Sequence, residues 1–173
     1  MLKINNIINE LSDRSKTIFS LAFDLAGEHK TNLNSIHILY VLLDKSEQYI
    51  SNMLLAITSK LNYLKSDVFL LLNKNKKLAD SQKFDKSILS LVNHSKILLK
   101  EFDDQIITQE ILLLSFTLID DQAKEVLSKY NITYNTLLEE IKKFRKGNKA
   151  MNNNAESGFD ALNRFAVNLT IKA

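Results

Sequence analysis

The sequence predicts an all-α fold: a pseudo-twofold tandem repeat of a four-helix motif, about eight helices in all, followed by a flexible linker and a short terminal helix. Three observations predict it. The 173 residues include no proline and only three glycines, so little interrupts helix propagation. Apolar residues recur at three- and four-residue spacing along most of the chain, which is the pattern of amphipathic helices. Two stretches, NSIHILYVLL (34–43) and ITQEILLLSF (107–116), start 73 positions apart and resemble each other. An internal repeat of that period is longer than common two-helix solenoid units, and two copies favour a closed bundle over an open array.

The elements follow in order. Ser12 reads as an N-cap for a helix carrying Ile18, Leu21, Ala22, Leu25 and Ala26, with Gly27 at its fraying end. A second helix covers about Ser35 to Leu43. A third covers about Glu47 to Thr58, with Ile50, Met53, Leu54 and Ile57 on one face. A fourth covers about Leu61 to Leu72 on Leu64, Val68 and Leu71, and the polar stretch NKNKKLADSQK connects it onward. Then the pattern restarts. Asp85 caps a helix bearing Ile88, Leu91, Val92, Ser95, Leu98 and Leu99, and Thr108 opens QEILLLSF. A helix from about Asp121 to Lys129 carries Ala123, Val126 and Leu127, and the last carries Leu137, Leu138, Ile141 and Phe144. At the fixed offset of 73, Ser12 pairs with Asp85, Ile18 with Leu91, Ile38 with Ile111, Leu54 with Leu127 and Val68 with Ile141. The expected division is a domain over 1–146, with repeats of about 11–73 and 84–146. Residues 147–173 are expected to be a polar, aperiodic linker and the start of whatever follows.

Composition narrows the function. There is no cysteine, which removes disulfide and thiolate chemistry and fits a reducing compartment. The 23 basic and 20 acidic residues give a net charge of +3 with the signs interspersed. The clusters NKNKK (73–77) and KKFRKGNK (142–149) are too small for a nucleic-acid or membrane footprint, so neither partner is expected. Apolar runs fall far below the roughly 20 residues of a membrane span. The N-terminus has neither a signal-peptide core nor an Arg-rich transit character. The expected location is cytoplasmic, or an organelle of bacterial origin.

No catalytic constellation emerges. His29, His37 and His94 lack partners at metal-ligand spacing, so no metal site is expected, and a structural hydrogen bond is the expected role of His37. The pairs Asp103–Asp104 and Asp120–Asp121 read as helix-start and turn residues. No G-x-x-x-x-G-K-[ST] phosphate loop occurs. Gly147-Asn148-Lys149-Ala150 lacks the first glycine and the hydroxyl such a loop needs.

The paired motifs Ser35-Ile36-His37-Ile38-Leu39 and Thr108-Gln109-Glu110-Ile111-Leu112 resemble those of the N-terminal domain of Clp ATPases, over roughly Leu11 to Lys146. Beyond it, Arg145, Gly147, Ala155-Glu156, Ala161-Leu162, Phe165 and Asn168-Leu169-Thr170 are similar to the segment leading into the first ATPase domain of the family's ClpB-type disaggregases. Phe165 and Asn168 depart from the Tyr and Asp usual there. The resemblance implies a non-catalytic module of a larger AAA+ ATPase, ending where the ATPase would begin. It would bind unfolded or aggregated polypeptide in a shallow apolar groove and pass it to the motor. The module itself would be monomeric and hold no cofactor. The full-length protein would be a homohexamer using ATP and magnesium, with a DnaK-type chaperone system beside it. The resemblance places Ser12, Asp104 and Glu110 at positions linked to substrate handling, and Val92 and Ile111 at apolar positions lining the groove. From the residues alone, Ser12 and Glu110 read equally well as cap and first-turn residues, and Val92 and Ile111 as core. The family also leaves open an adaptor-binding domain of a protease-coupled motor, or a regulatory lid.

Overall fold

Five of the eight main helices start where a short polar side chain takes a free amide. Ser12 accepts from the Ser15 N–H and opens α1 (Asp13–Glu28). Asn34 accepts from the Ile36 and His37 amides at α2 (Ser35–Asp44). Helices α3 (Gln48–Ile57) and α4 (Leu61–Lys74) complete the first motif. Asp85 caps α5 (Lys86–Phe102), α6 runs Gln109–Phe116, Asp121 caps α7 (Gln122–Lys129), and Thr133 caps α8 (Tyr134–Arg145). These assignments come from a computed structural model that describes residues 9–45, 47–74 and 83–159. The expected short terminal helix and the last matches of the linker pattern, Ala161 to Thr170, lie outside the described residues, as does most of the connector after Lys74. Among the described residues no helix is long and apolar enough to cross a membrane.

The two motifs interlock by exchange. Leu11 forms a parallel bridge with Ile107, and Leu33 one with Phe84. Ser12 N–H donates to the Ile107 carbonyl at 2.9 Å, and Asp85 N–H donates to the Leu33 carbonyl at 2.7 Å. The entry of each motif thus pairs with the first connection of the other. Helix packing repeats the exchange, with α3 against α8 and α4 against α7. One continuous core lies between the motifs, with Phe116, Ile18, Leu39, Leu54, Leu64 and Leu91 fully buried.

The repeat is not strictly periodic. Helices α1 and α5 start 73 apart, as do α4 and α8, but α2 and α6, and α3 and α7, start 74 apart. Lys30 and Asp103, 73 apart, both take left-handed backbone (φ 54° and 56°) at the ends of α1 and α5. The next amides, Thr31 and Asp104, fold back onto the Ala26 and Leu99 carbonyls at 3.0 and 2.9 Å, an arrangement that satisfies the last carbonyls of a helix. The extra residue therefore falls between Asp104 and the cap Thr108, and the counterpart of Thr108 is Asn34 rather than Ser35.

The packing does not end at the expected boundary near Lys146. Ala150, Ala155, Glu156 and Phe159 are buried, and residues 155–159 are helical. Within 147–159, the stretch expected to be a swinging linker is laid on the domain. The polar, aperiodic sequence hid this, because only four of its residues are buried.

Candidate functional site: a buried ion cluster beneath the 147–159 segment

Four separated elements meet at Glu110. It is the second residue of α6, where a carboxylate is favoured by the free amides and the helix dipole. Its Oε1 accepts from Arg145 Nε and Nη2 at 3.1 and 3.0 Å, and its Oε2 from the Tyr49 hydroxyl at 3.0 Å. Arg145, at the end of α8, also donates from Nη1 to both Asp104 oxygens at 2.8 and 2.7 Å, and from Nη2 to Thr108 Oγ1 at 3.1 Å. The α6 cap Thr108 therefore spends its oxygen on the guanidinium and makes no side-chain cap bond. The guanidinium lies between the Phe102 and Phe159 rings, 5.2 and 5.0 Å from their centroids. Burial works against the Arg145 charge, but Glu110 and Asp104 overcome it and hold the group above its ordinary pKa. Burial pushes Asp104 up, opposed by the Ala150 amide and Arg145.

Tyr49 extends the cluster. Its ring stacks on Phe144 at 4.5 Å, and its hydroxyl oxygen also lies 3.4 Å from Glu156 Oε2. Glu156 Oε1 is buried without a hydrogen-bond partner. Burial and then the neighbouring Glu110 charge raise the Glu156 carboxyl from 4.5 to about 8, against the pull of Ser12, Arg14 and the Gln109 amide. A protonated Glu156 is the form that suits this place at neutral pH. Burial first, then Glu110 and Glu156, also raise Tyr49 well above its usual value, so it stays a donor.

Backbone clamps hold the segment above. Gln105 N–H donates to the Ala150 carbonyl at 2.8 Å, Asp13 N–H to the Asn153 carbonyl at 3.1 Å, and Ala150 N–H to Asp104 Oδ1 at 2.8 Å. Lys149 pairs with Asp103. Lys149 and the Ala150 amide of the Gly147-Asn148-Lys149-Ala150 stretch are thus engaged within the chain.

The structure thus brings Ser12, Asp104 and Glu110 into one polar cluster, although 98 residues separate the first from the last. All three are buried rather than open to solvent. Val92 and Ile111 are also buried, as members of the main core. Sequence reasoning missed the partners Tyr49, Phe144 and Phe159, and read Arg145 and Glu156 as linker. The signal for Arg145 was its place one residue past the apolar Leu137–Ile141–Phe144 face, in the last turn of its helix. The same place in the first motif is neutral. Asn34 N–H donates to His37 Nδ1 at 3.1 Å, and His37 Nε2 faces the Thr31 hydroxyl at 3.4 Å. Burial, with His29 nearby, lowers His37 from 6.5 to about 4. Of the two copies, the second carries the ions. A separate cleft of about 500 Å³ between α4 and α7, floored by Leu70, Leu71 and Val126, includes none of the five residues named from the sequence.

Exchanged motifs of four helices around a shared core define a Clp-type N-domain, and the comparisons agree. The family described as the Clp repeat (R) N-terminal domain matches residues 10–130. The chain belongs to that family. It is 27% identical over 169 residues to the chaperone protein ClpB of Rickettsia prowazekii, a match covering 94% of this chain and 20% of that one. The chain spans about a fifth of the length of the curated ClpB relatives it matches. The crystal structure of the Hsp104 N-terminal domain from Candida albicans superposes with a TM-score of 0.72 at 14% identity, covering 84% of this chain and 98% of that one. A complex of a ClpV N-domain with a VipB peptide superposes with a TM-score of 0.59 at 16% identity, covering 80% and 93%.

Proposed function

We propose that this chain is the non-catalytic, polypeptide-binding N-terminal module of a ClpB-like disaggregating chaperone. It captures unfolded or aggregated protein at the face built on Ser12, Asp104 and Glu110 and passes it to an ATPase motor. The observation that carries this reading is the convergence of those three residues beneath the 147–159 segment, where the domain already holds a stretch of peptide. Similarity to ClpB along 94% of the chain supports it. ATP and magnesium belong, on this reading, to motor domains beyond these residues. So do the hexamer and a DnaK-type partner system. The aromatic anchors Tyr49 and Phe144 would take apolar client side chains. Each would contribute about 1.5–3 kcal/mol, offset by the cost of ordering a flexible client. Weak, sequence-tolerant capture follows, with Kd of roughly micromolar to a hundred micromolar.

The test is titration of the chain into fluorescein-labelled, reduced and carboxymethylated lactalbumin, followed by anisotropy. Saturable binding to the unfolded protein, with native lactalbumin inert, is the expected result. No binding up to millimolar chain would sink the reading. The ClpV N-domain in complex with a peptide keeps a second reading in play, in which the occupant is a defined adaptor segment. Binding confined to one sequence, with unfolded proteins inert, would favour it.

A further inference from the structure

We propose that residues 147–159 are an intramolecular strap that occupies the client-receiving face, so that client and strap compete for one cradle. The inference rests on the client-binding reading above and adds what regulates it. The strap is held as a ligand would be held. Its backbone takes the Gln105, Ile106 and Asp13 amides and gives the Ala150 N–H to Asp104. Phe159 stands edge-on to Phe144, with ring centroids 6.0 Å apart, and over Arg145. Glu156 meets Tyr49. Its apolar contacts form a small cluster of Ala150, Ala155 and Phe159, joined to the main core through Phe144, which packs against both. None of the three strap residues belongs to the main core itself. The strap instead covers Ser12, Asp104 and Glu110, all of which are buried in this arrangement.

The pattern of the strap describes what else would fit. A small residue, four others, a second small residue followed by a protonatable acid, and an aromatic three further on satisfy the cradle. A polypeptide with a small-residue turn and an exposed aromatic, as in a misfolded client, meets the same anchors. The groups facing Glu156 are Glu110 from α6, Tyr49 from α3, and Ser12 and Arg14 at the start of α1. With a carboxylate among them, a neutral side chain at position 156 suits the docked state better.

The experiment uses the full chain and two probes: labelled carboxymethylated lactalbumin, and a labelled peptide copying residues 147–159. Phe159→Ala loosens the strap and reaches the main core only through Phe144, and Glu156→Gln tightens it. If the free cradle is exposed a tenth of the time or less, loosening raises apparent affinity for both probes about tenfold or more. Tightening lowers it, and unlabelled peptide displaces client. Circular dichroism and melting temperature confirm that both variants are folded. Equal client affinity in wild type, Phe159→Ala and Glu156→Gln overturns the strap while leaving client binding intact. Failure of the peptide to bind the loosened chain also overturns it. Client binding to no variant, with the peptide still bound, removes the client reading and this inference together, yet still marks the cradle.

Discussion

Arg145 supplies one buried cation to two buried carboxylates, Asp104 and Glu110. Removing it leaves both acids desolvated with their main partner gone. Arg145→Met should therefore cost about 3–5 kcal/mol, the usual range for breaking a buried pair from one side. Urea unfolding measures it, and a loss below about 1 kcal/mol would show that the cluster is hydrated in solution. The same logic alters the choice of site variants. On sequence alone, Ser12→Ala with Glu110→Ala looks like a mild pair of cap changes. In the structure, Glu110→Ala strips two guanidinium bonds, so Glu110→Gln is the gentler probe.

His37 titrates in the opposite sense to most stabilising histidines. Its folded pKa of about 4 lies below the ordinary 6.5. As pH falls through that window the unfolded chain takes up the proton first, so folded stability drops, at most by about 1.4 kcal/mol per pH unit. Glutamine at the third helical position is a capping-box residue. His37→Gln should thus keep the cap and lose this part of the acid sensitivity. Urea midpoints at pH 7 and pH 5 for both proteins check it, and parallel losses would contradict the assignment. Individual caps such as Ser12 and Asp85 were legible because their spacing to the next apolar position is local. Arg145 was not, since its partners lie 35 and 41 residues away and its neighbours form an ordinary basic run.

At the scale of elements, helices α1 to α8 fall where periodicity and caps place them, while the helical turn at 155–159 had no such signal. The one-residue slip between α1 and α2, against α5 and α6, did not. The run Ile36–Leu43 is almost continuously apolar, so its phase fits an offset of 73 or 74 equally. Hydrogen bonds to Asn34, not hydrophobicity, decide it. The strap was misjudged for a different reason: backbone clamps and one aromatic fix it, and neither leaves a period. Its docking should respond to pH. Glu156 is raised from 4.5 to about 8 when docked. Docking therefore carries a proton with it and weakens as pH rises across that interval, by at most about 1.4 kcal/mol per unit. Tryptic cleavage after Lys149 should accelerate from pH 6.5 to 8.5 beyond the protease's own pH profile. Glu156→Gln should flatten the excess, and an identical profile in the two proteins would contradict the linkage.

At the scale of the whole molecule, duplication gives two similar motifs, and the ionic site belongs to one of them. The second motif holds Asp104, Glu110 and Arg145 where the first holds Thr31, Ile36 and Leu72. The pseudo-symmetric scaffold thus presents one charged, aromatic-lined face, with the uncharged counterpart satisfied internally by Asn34, Thr31 and His37. Fold and family were readable from pattern and motif. The face was readable only as three residues, Ser12, Asp104 and Glu110, whose meeting depends on tertiary packing. The central claim is that polypeptide is received on that face. It is tested most directly by titrating the isotopically labelled chain with unlabelled carboxymethylated lactalbumin and following backbone amide resonances. The account predicts shifts concentrated at Asp13, Gln105, Ile106 and Ala150, the amides that clamp the strap. Shifts confined to Leu70, Leu71 and Val126 at the α4–α7 cleft, with those four amides unmoved, would contradict it.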